Sequence, residues 1–163
     1  MIVWGVCSDR AVAASYPRVE SAEGCSWVAL HEPVAKRGVS CLRVTVESGG
    51  GGVAIGLAEM PQPTDRPLWS GGVWRLHLED GFVFAAGEHC PPLDDWVAPG
   101  DGDTVELAFD ADARTLVVRM NGAAAMGVCG DVAAAAGREL HFVVEVSEGS
   151  VVSVCPAEDR VSQ

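Results

Sequence analysis

Apolar and polar residues alternate with a period of two along most of this chain. In GVSCLRVTVE (38–47), Leu42, Val44 and Val46 fall on one side and Val39, Cys41, Arg43 and Thr45 on the other. In the stretch 100–122, Val105, Leu107 and Phe109 alternate with Glu106, Ala108 and Asp110, and Leu116, Val118 and Met120 repeat the pattern. Such alternation marks strands with one face in a core and one toward water. SWVALHE (26–32), GGGGVAIGLAEM (49–60), GGVWRLHLEDGFVFAAG (71–87) and ELHFVVEVSEGSVVSV (139–154) have the same grammar. Turn residues punctuate it. Asp110 to Arg114 predicts a turn in which Asp side chains bond nearby backbone. Asn121-Gly122 and Asp80-Gly81 predict tight type I′ hairpins, because both central positions there take positive φ. A third strand from about Ala123 to Val128 would complete a meander, and a last hairpin would turn at Ser147-Glu148-Gly149. Helix signals are poor: DVAAAAGREL (131–140) offers a turn or two before Gly137. Many short strands with frequent turns point to an all-β sandwich or barrel.

The 163 residues favour one domain over 1–163, with its core at about 26–155 and with 1–20 and 156–163 peripheral. Two connections exceed what a hairpin needs, AEMPQPTDRPLWSGG (58–72) and AGEHCPPLDDWVAPGDGD (86–103). Loops of that length on a rigid scaffold are where binding concentrates.

Charge narrows the partners. The formal net charge is −12, from 23 acids against 11 bases. That disfavours nucleic acid and anionic membranes, which recruit basic patches, and suits a basic partner or plain solubility. No apolar run reaches the ~18 residues of a membrane span. The opening residues have no basic region before their apolar run, so no signal peptide is expected. Of the six cysteines, Cys7, Cys25, Cys41, Cys90, Cys129 and Cys155, several sit in apolar runs such as VSCLRV, MGVCG and VVSVC, and there is no Cys-x-x-Cys pair. They are expected to be thiols in a reducing, cytoplasmic setting, without zinc. Asp110-x-Asp112 begins like a calcium loop, but Thr115 and Asn121 stand where that loop needs Gly and Glu, so no metal is expected.

At this point the order of segments resembles the SPRY domain. GVSCLRVTVE, VAIGLAE, GVWRLHLEDG, GDTVELAFDADARTLVVRMNG and LHFVVEVSEGSVVSV follow one another as that family's strands do, over about 26–155. Two positions depart from the pattern: the usual aromatic after the Asp turn is Val117 or Val118, and the stretch before the last turn reads Leu140-His141-Phe142-Val143. The resemblance implies a bent two-sheet antiparallel β-sandwich of concanavalin-like architecture. It implies a non-enzymatic module that binds a peptide or partner protein through loops at one end, with no cofactor. HEPVA (31–35) is similar to the family's gripping segment, with His31 where an arginine is often found and with Pro33, Val34 and Ala35 following. The glycine pair before the Val/Ile-Gly strand is Gly51-Gly52. The long loop after that strand carries Asp65, Arg66, Leu68 and Trp69. The last turn holds Ser147 and Glu148, without the aromatic often found there. The family's topology implies that these segments share one rim; the protein is expected to be a monomer on its own.

The remaining candidate chemistry is thin. Trp74 and Trp27 read as core and Trp96 as a plug at the sandwich edge, whereas Trp69 reads equally as a binding hot spot or as a lid packed over one sheet. His89-Cys90 suggests a thiol and its base, but neighbours on an extended chain point to opposite faces. Glu47, Glu79 and Glu145 could pair as glycosidase carboxylates, yet as charged members of amphipathic strands they are expected to face water. The function expected is therefore a protein-interaction adaptor. The alternatives are a structural subunit docked stably in a larger assembly, and a sandwich-fold glycoside hydrolase or lectin.

Overall fold

The computed structural model describes residues 4–7, 11–12, 17–21, 23–65, 68, 73–85, 88–123, 127–129 and 139–157. In chain order they form β1 (Trp4–Cys7), β2 (Ala11–Val12), β3 (Arg18–Ser21), β4 (Cys25–Leu30), β5 (Val39–Ser48), a single 3-10 turn at Gly50–Gly52, β6 (Val53–Glu59) and β7 (Val73–His77). There follow β8 (Val83–Ala85), β9 (Glu88–Cys90), β10 (Thr104–Asp110), β11 (Thr115–Met120), β12 (Gly127–Cys129), β13 (Leu140–Ser147) and β14 (Val151–Ala157). No α-helix occurs among the described residues. The segment 131–138 lies outside them.

Two sheets result. The first runs β1-β4-β13-β6-β7-β8-β9 and the second β12-β11-β10-β5-β14-β3-β2. Every pairing is antiparallel. The alternation read from the sequence fixes which side chains meet between the sheets. Leu42, Val44 and Val46 of β5, Val105, Leu107 and Phe109 of β10, and Leu116 and Val118 of β11 face Val53, Ile55 and Leu57 of β6 and Phe142, Val144 and Val146 of β13. The second sheet keeps its outer face polar, with Arg43 and Arg119 both paired to Glu106 across three strands.

The first sheet is different, because its central strands are buried on both faces. β6 alternates large residues toward the sandwich with Ala54, Gly56 and Ala58 on the outside. On that outer side Leu68 packs with Trp27, Ala29, Ala58 and Val143 in a second apolar cluster. Trp27 is thus buried as the alternation suggests, but under Leu68 rather than between the sheets.

Four turns can be compared with expectation. Asn121 (φ 51°) and Gly122 (φ 72°) both take left-handed backbone, which is the I′ signature. Asp110 Oδ1 accepts the N–H groups of Asp112 and Ala113, both at 2.9 Å. Asp80-Gly81 differs. Only Gly81 has positive φ there, and the turn begins at Leu78, whose side chain is drawn into the core. The loop is therefore longer than two residues. Ser147-Glu148-Gly149 also differs, since β13 and β14 lie in different sheets. The turn there carries the chain across the sandwich instead of closing a hairpin. The Gly49–Gly52 stretch makes the same crossing from β5 to β6.

Candidate functional site

β6 has Gly52 before its first residue and Met60 after its last, and β13 runs beside it in the opposite direction. The sandwich therefore has a Gly52 end and a Leu140 end. The ten residues of β5 put them roughly 30 Å apart. The segments expected on one rim are divided between these ends. His31–Ala35 and the start of the 61–70 loop lie at the Leu140 end, while Gly51-Gly52 and Ser147-Glu148 lie at the Gly52 end. The physical reason is strand direction: sequence order fixes which end of a strand a loop leaves from only once the pairing is known.

At the Leu140 end two loops are fastened to two adjacent residues. Val34 N–H donates to Leu140 C=O at 2.8 Å, and Met60 N–H donates to Glu139 C=O at 3.3 Å. Ala35 N–H reaches Ser40 Oγ at 2.9 Å, and Gly38 N–H reaches Asp112 Oδ2 at 2.9 Å. Val34 packs against the core, which leaves His31, Pro33 and Ala35 exposed on one side and Pro61, Pro63 and Asp65 exposed on the other. Arg66 and Trp69 lie outside the described residues. Leu68 must be corrected: at 1% exposure it is a packing residue of the second cluster, so it offers no surface to a partner.

At the Gly52 end the two crossings interlock. Ser150 Oγ donates to Gly49 C=O at 2.6 Å. A Cβ on Gly52 would run into Ser150 Oγ and come within 2.9 Å of Ser147 Cβ. Gly52 is thus required by the crossing itself, before any ligand is considered. Gly51 is exposed beside Glu79, and Glu148 is exposed with its N–H held by Gly24 C=O at 2.6 Å.

On the outer face of the first sheet lies a buried ion pair that the alternation rule misses. Arg75 Nη1 sits 3.1 Å from Glu145 Oε1, with the two residues 5% and 8% exposed. Their strands, β7 and β13, are separated by β6. The guanidinium crosses because the intervening positions, Ala54 and Gly56, have almost no side chain. Glu145 also accepts the N–H of Leu68 at 3.4 Å, and Arg75 stacks 4.9 Å above the Phe84 ring. Glu145 was expected to face water. It is buried because this face carries a second apolar layer, and it is tolerated because Arg75 pairs it. Glu47 and Glu79 are exposed, so the three carboxylates do not converge.

The pair reaches Cys25. Burial, the Glu145 charge and a hydrogen bond to that carboxylate push the Cys25 thiol up to about 12. The thiolate is the reactive form. Alkylation with iodoacetamide at pH 8 is therefore expected to label exposed Cys155 well before Cys25, read by timed peptide mass spectrometry. Cys25 labelled as fast as Cys155 would contradict the burial described. His89 is exposed with its ring edge-on to Phe84 at 5.3 Å, while Cys90 packs toward the core, so the two do not meet. Among the described residues no group of three His, Cys, Asp or Glu is placed to hold a metal.

No protein-family model and no curated protein matches the sequence. Solved structures do match in fold. The chain is similar to the SPRY domain of human HERC1, with 20% identity and a TM-score of 0.77 over 98% of this chain and 100% of that one. It is similar to a human SPRY domain at 14% identity and TM-score 0.67, covering 90% and 94% of the two chains. The TRIM65 PSpry domain matches at 14% identity and TM-score 0.67, covering 91% and 85%.

Proposed function

We propose, from the premise that this chain carries the SPRY fold, that it is a non-catalytic protein-recognition module gripping its partner at the Leu140 end. One observation carries the choice of end: Val34 is tied there to Leu140 and Met60 to Glu139, and the described residues beside them include exposed prolines. Backbone already held by hydrogen bonds loses less entropy on binding. The surface consists of His31, Pro33, Val34 and Ala35 beside Pro61, Pro63 and Asp65. Arg66 and Trp69 extend it on sequence grounds. Gly51, Gly52, Ser147 and Glu148 take no part, since they belong to the opposite end. The likeness to SPRY domains supports an interaction module, and the thiols suit a reducing, cytoplasmic setting.

The test is site-specific photo-crosslinking in cells of the source organism. A photoreactive residue at Ala35 or Pro63 is expected to trap one protein in stoichiometric yield, and the same residue at Arg43, on the outer face of the second sheet, is not. With that partner purified, Pro33→Glu combined with Ala35→Glu should weaken binding by about tenfold or more, the scale of a hot spot. Its melting temperature should stay unchanged. Adducts confined to Arg43, or affinity indifferent to the double substitution, would move the function off this end.

A further inference from the structure

We infer that the Gly52 end is a second docking surface, separate from the first, fitted to a basic segment that carries apolar side chains. It is built from the β7–β8 turn and the segment 91–103. Leu93 N–H donates to Gly81 C=O at 3.0 Å, and the Trp96 indole N–H donates to Leu78 C=O at 2.9 Å. A Cβ on Gly81 would lie 2.7 Å from one Trp96 ring atom and 2.8 Å from Trp96 Cβ. The ring therefore lies directly on the turn backbone and needs glycine beneath it. Further along, Gly102 N–H donates to Val46 C=O at 2.7 Å and Gly100 N–H to Asp103 Oδ2 at 2.8 Å. Hydrogen bonds thus tie the platform to the turn at one end and to β5 at the other.

Two apolar side chains flank that stacked contact. Phe82 follows Gly81 and is 40% exposed; Val97 follows Trp96 and is 66% exposed. Among the described large apolar residues the other exposed one is Val39, which lies at the opposite end. The same turn and segment carry Glu79, Asp80, Asp94, Asp95 and Asp101, all exposed. No Lys or Arg occurs anywhere between Arg75 and Arg114. None of these five acids is in an ion pair among the described residues.

The combination selects the occupant. Exposed apolar anchors favour a ligand that buries them. The unneutralised carboxylates repel an acidic one, and raise the encounter rate of a cationic one in a salt-dependent way. A peptide segment alternating Lys or Arg with Leu-like residues satisfies both terms at once. This reading does not rest on the Leu140 end, and its test does not use that end's partner.

The experiment titrates the isotope-labelled full chain with the probe peptide acetyl-Lys-Arg-Leu-Lys-Leu-Arg-Lys-amide, followed by amide chemical shifts. Controls are the same peptide with Ser for Leu and a version with Glu for every base. Saturable shifts are expected at Gly81, Phe82, Leu93, Trp96 and Val97. Asp94→Lys with Asp101→Lys, both exposed positions, should abolish them. Phe82→Ser and Val97→Ser should each weaken binding about tenfold, as anchors do. Equal binding of the Ser peptide, shifts spread without saturation, or shifts centred on His31–Ala35 would each overturn the proposal.

Discussion

Gly56→Ala is expected to destabilise the protein by about 4 kcal/mol or more, at the upper end for a single substitution. Gly56 lies in the middle of β6, opposite Arg75 on β7 and Val143 on β13. A Cβ built there meets the Trp74 carbonyl oxygen and lies 2.8 Å from Arg75 Cα. Both are backbone atoms of a hydrogen-bonded strand, so no rotamer change makes room. The same methyl group would stand where the Arg75 side chain passes toward Glu145. Against a total stability of about 5–15 kcal/mol for a domain, much of the protein should unfold. Chemical denaturation of the variant checks this. A loss below about 1 kcal/mol, or the small gain that replacing a strand glycine by alanine ordinarily brings, would mean β7 can move aside.

Glu145→Ala should cost about 3–5 kcal/mol, the range for breaking a buried pair by removing one partner. The loss arises because the Arg75 guanidinium remains buried without its charge partner, and the Leu68 N–H loses its acceptor as well. For a chain of this size the melting temperature should fall by roughly 10 °C. The double variant Arg75→Met with Glu145→Leu separates charge from packing. Replacing both partners by apolar groups leaves nothing unsatisfied between them, so it should recover most of the stability lost in the single variant. A double variant as unstable as Glu145→Ala would show that the pair is needed for its geometry rather than for charge balance.

What could be read from the sequence is what depends on neighbours along the chain. The alternation of Leu42, Val44 and Val46, or of Val105, Leu107 and Phe109, requires no knowledge of partners, and all six line the core. Asn121-Gly122 demands its turn locally, and takes it. Properties that depend on remote strands were not legible. Ser147-Glu148-Gly149 carries the residues of a hairpin turn, but the strands beyond it pair with β6 and β5 in separate sheets. Glu145 looks solvent-facing because a single strand says nothing of a second layer over its polar side. A signal existed nonetheless: Ala54, Gly56 and Ala58 form a lane too small for ordinary exposed strand positions, which announces something lying across it. The split of the candidate surface has the same origin, since the rim on which His31 or Gly51 falls is a property of the whole pairing pattern. The Gly52 end could have been found from the run without Lys or Arg around Phe82 and Val97.

The place of β13 and β14 sets the timing of folding during synthesis. β13 lies between β4 and β6, and β14 between β5 and β3. Until residues 139–157 leave the ribosome, each sheet exists as two pieces with unpaired interior edges. At typical elongation rates the residues from β6 to β14 take on the order of ten seconds to make, and the edges stay open for that time. Open strand edges are templates for pairing with other chains, and pairings this distant in sequence form slowly even after release. A shielding chaperone would therefore act on the β4, β5 and β6 edges, and ribosome stalling ahead of Glu139 would leave a species that aggregates rather than one that folds in part.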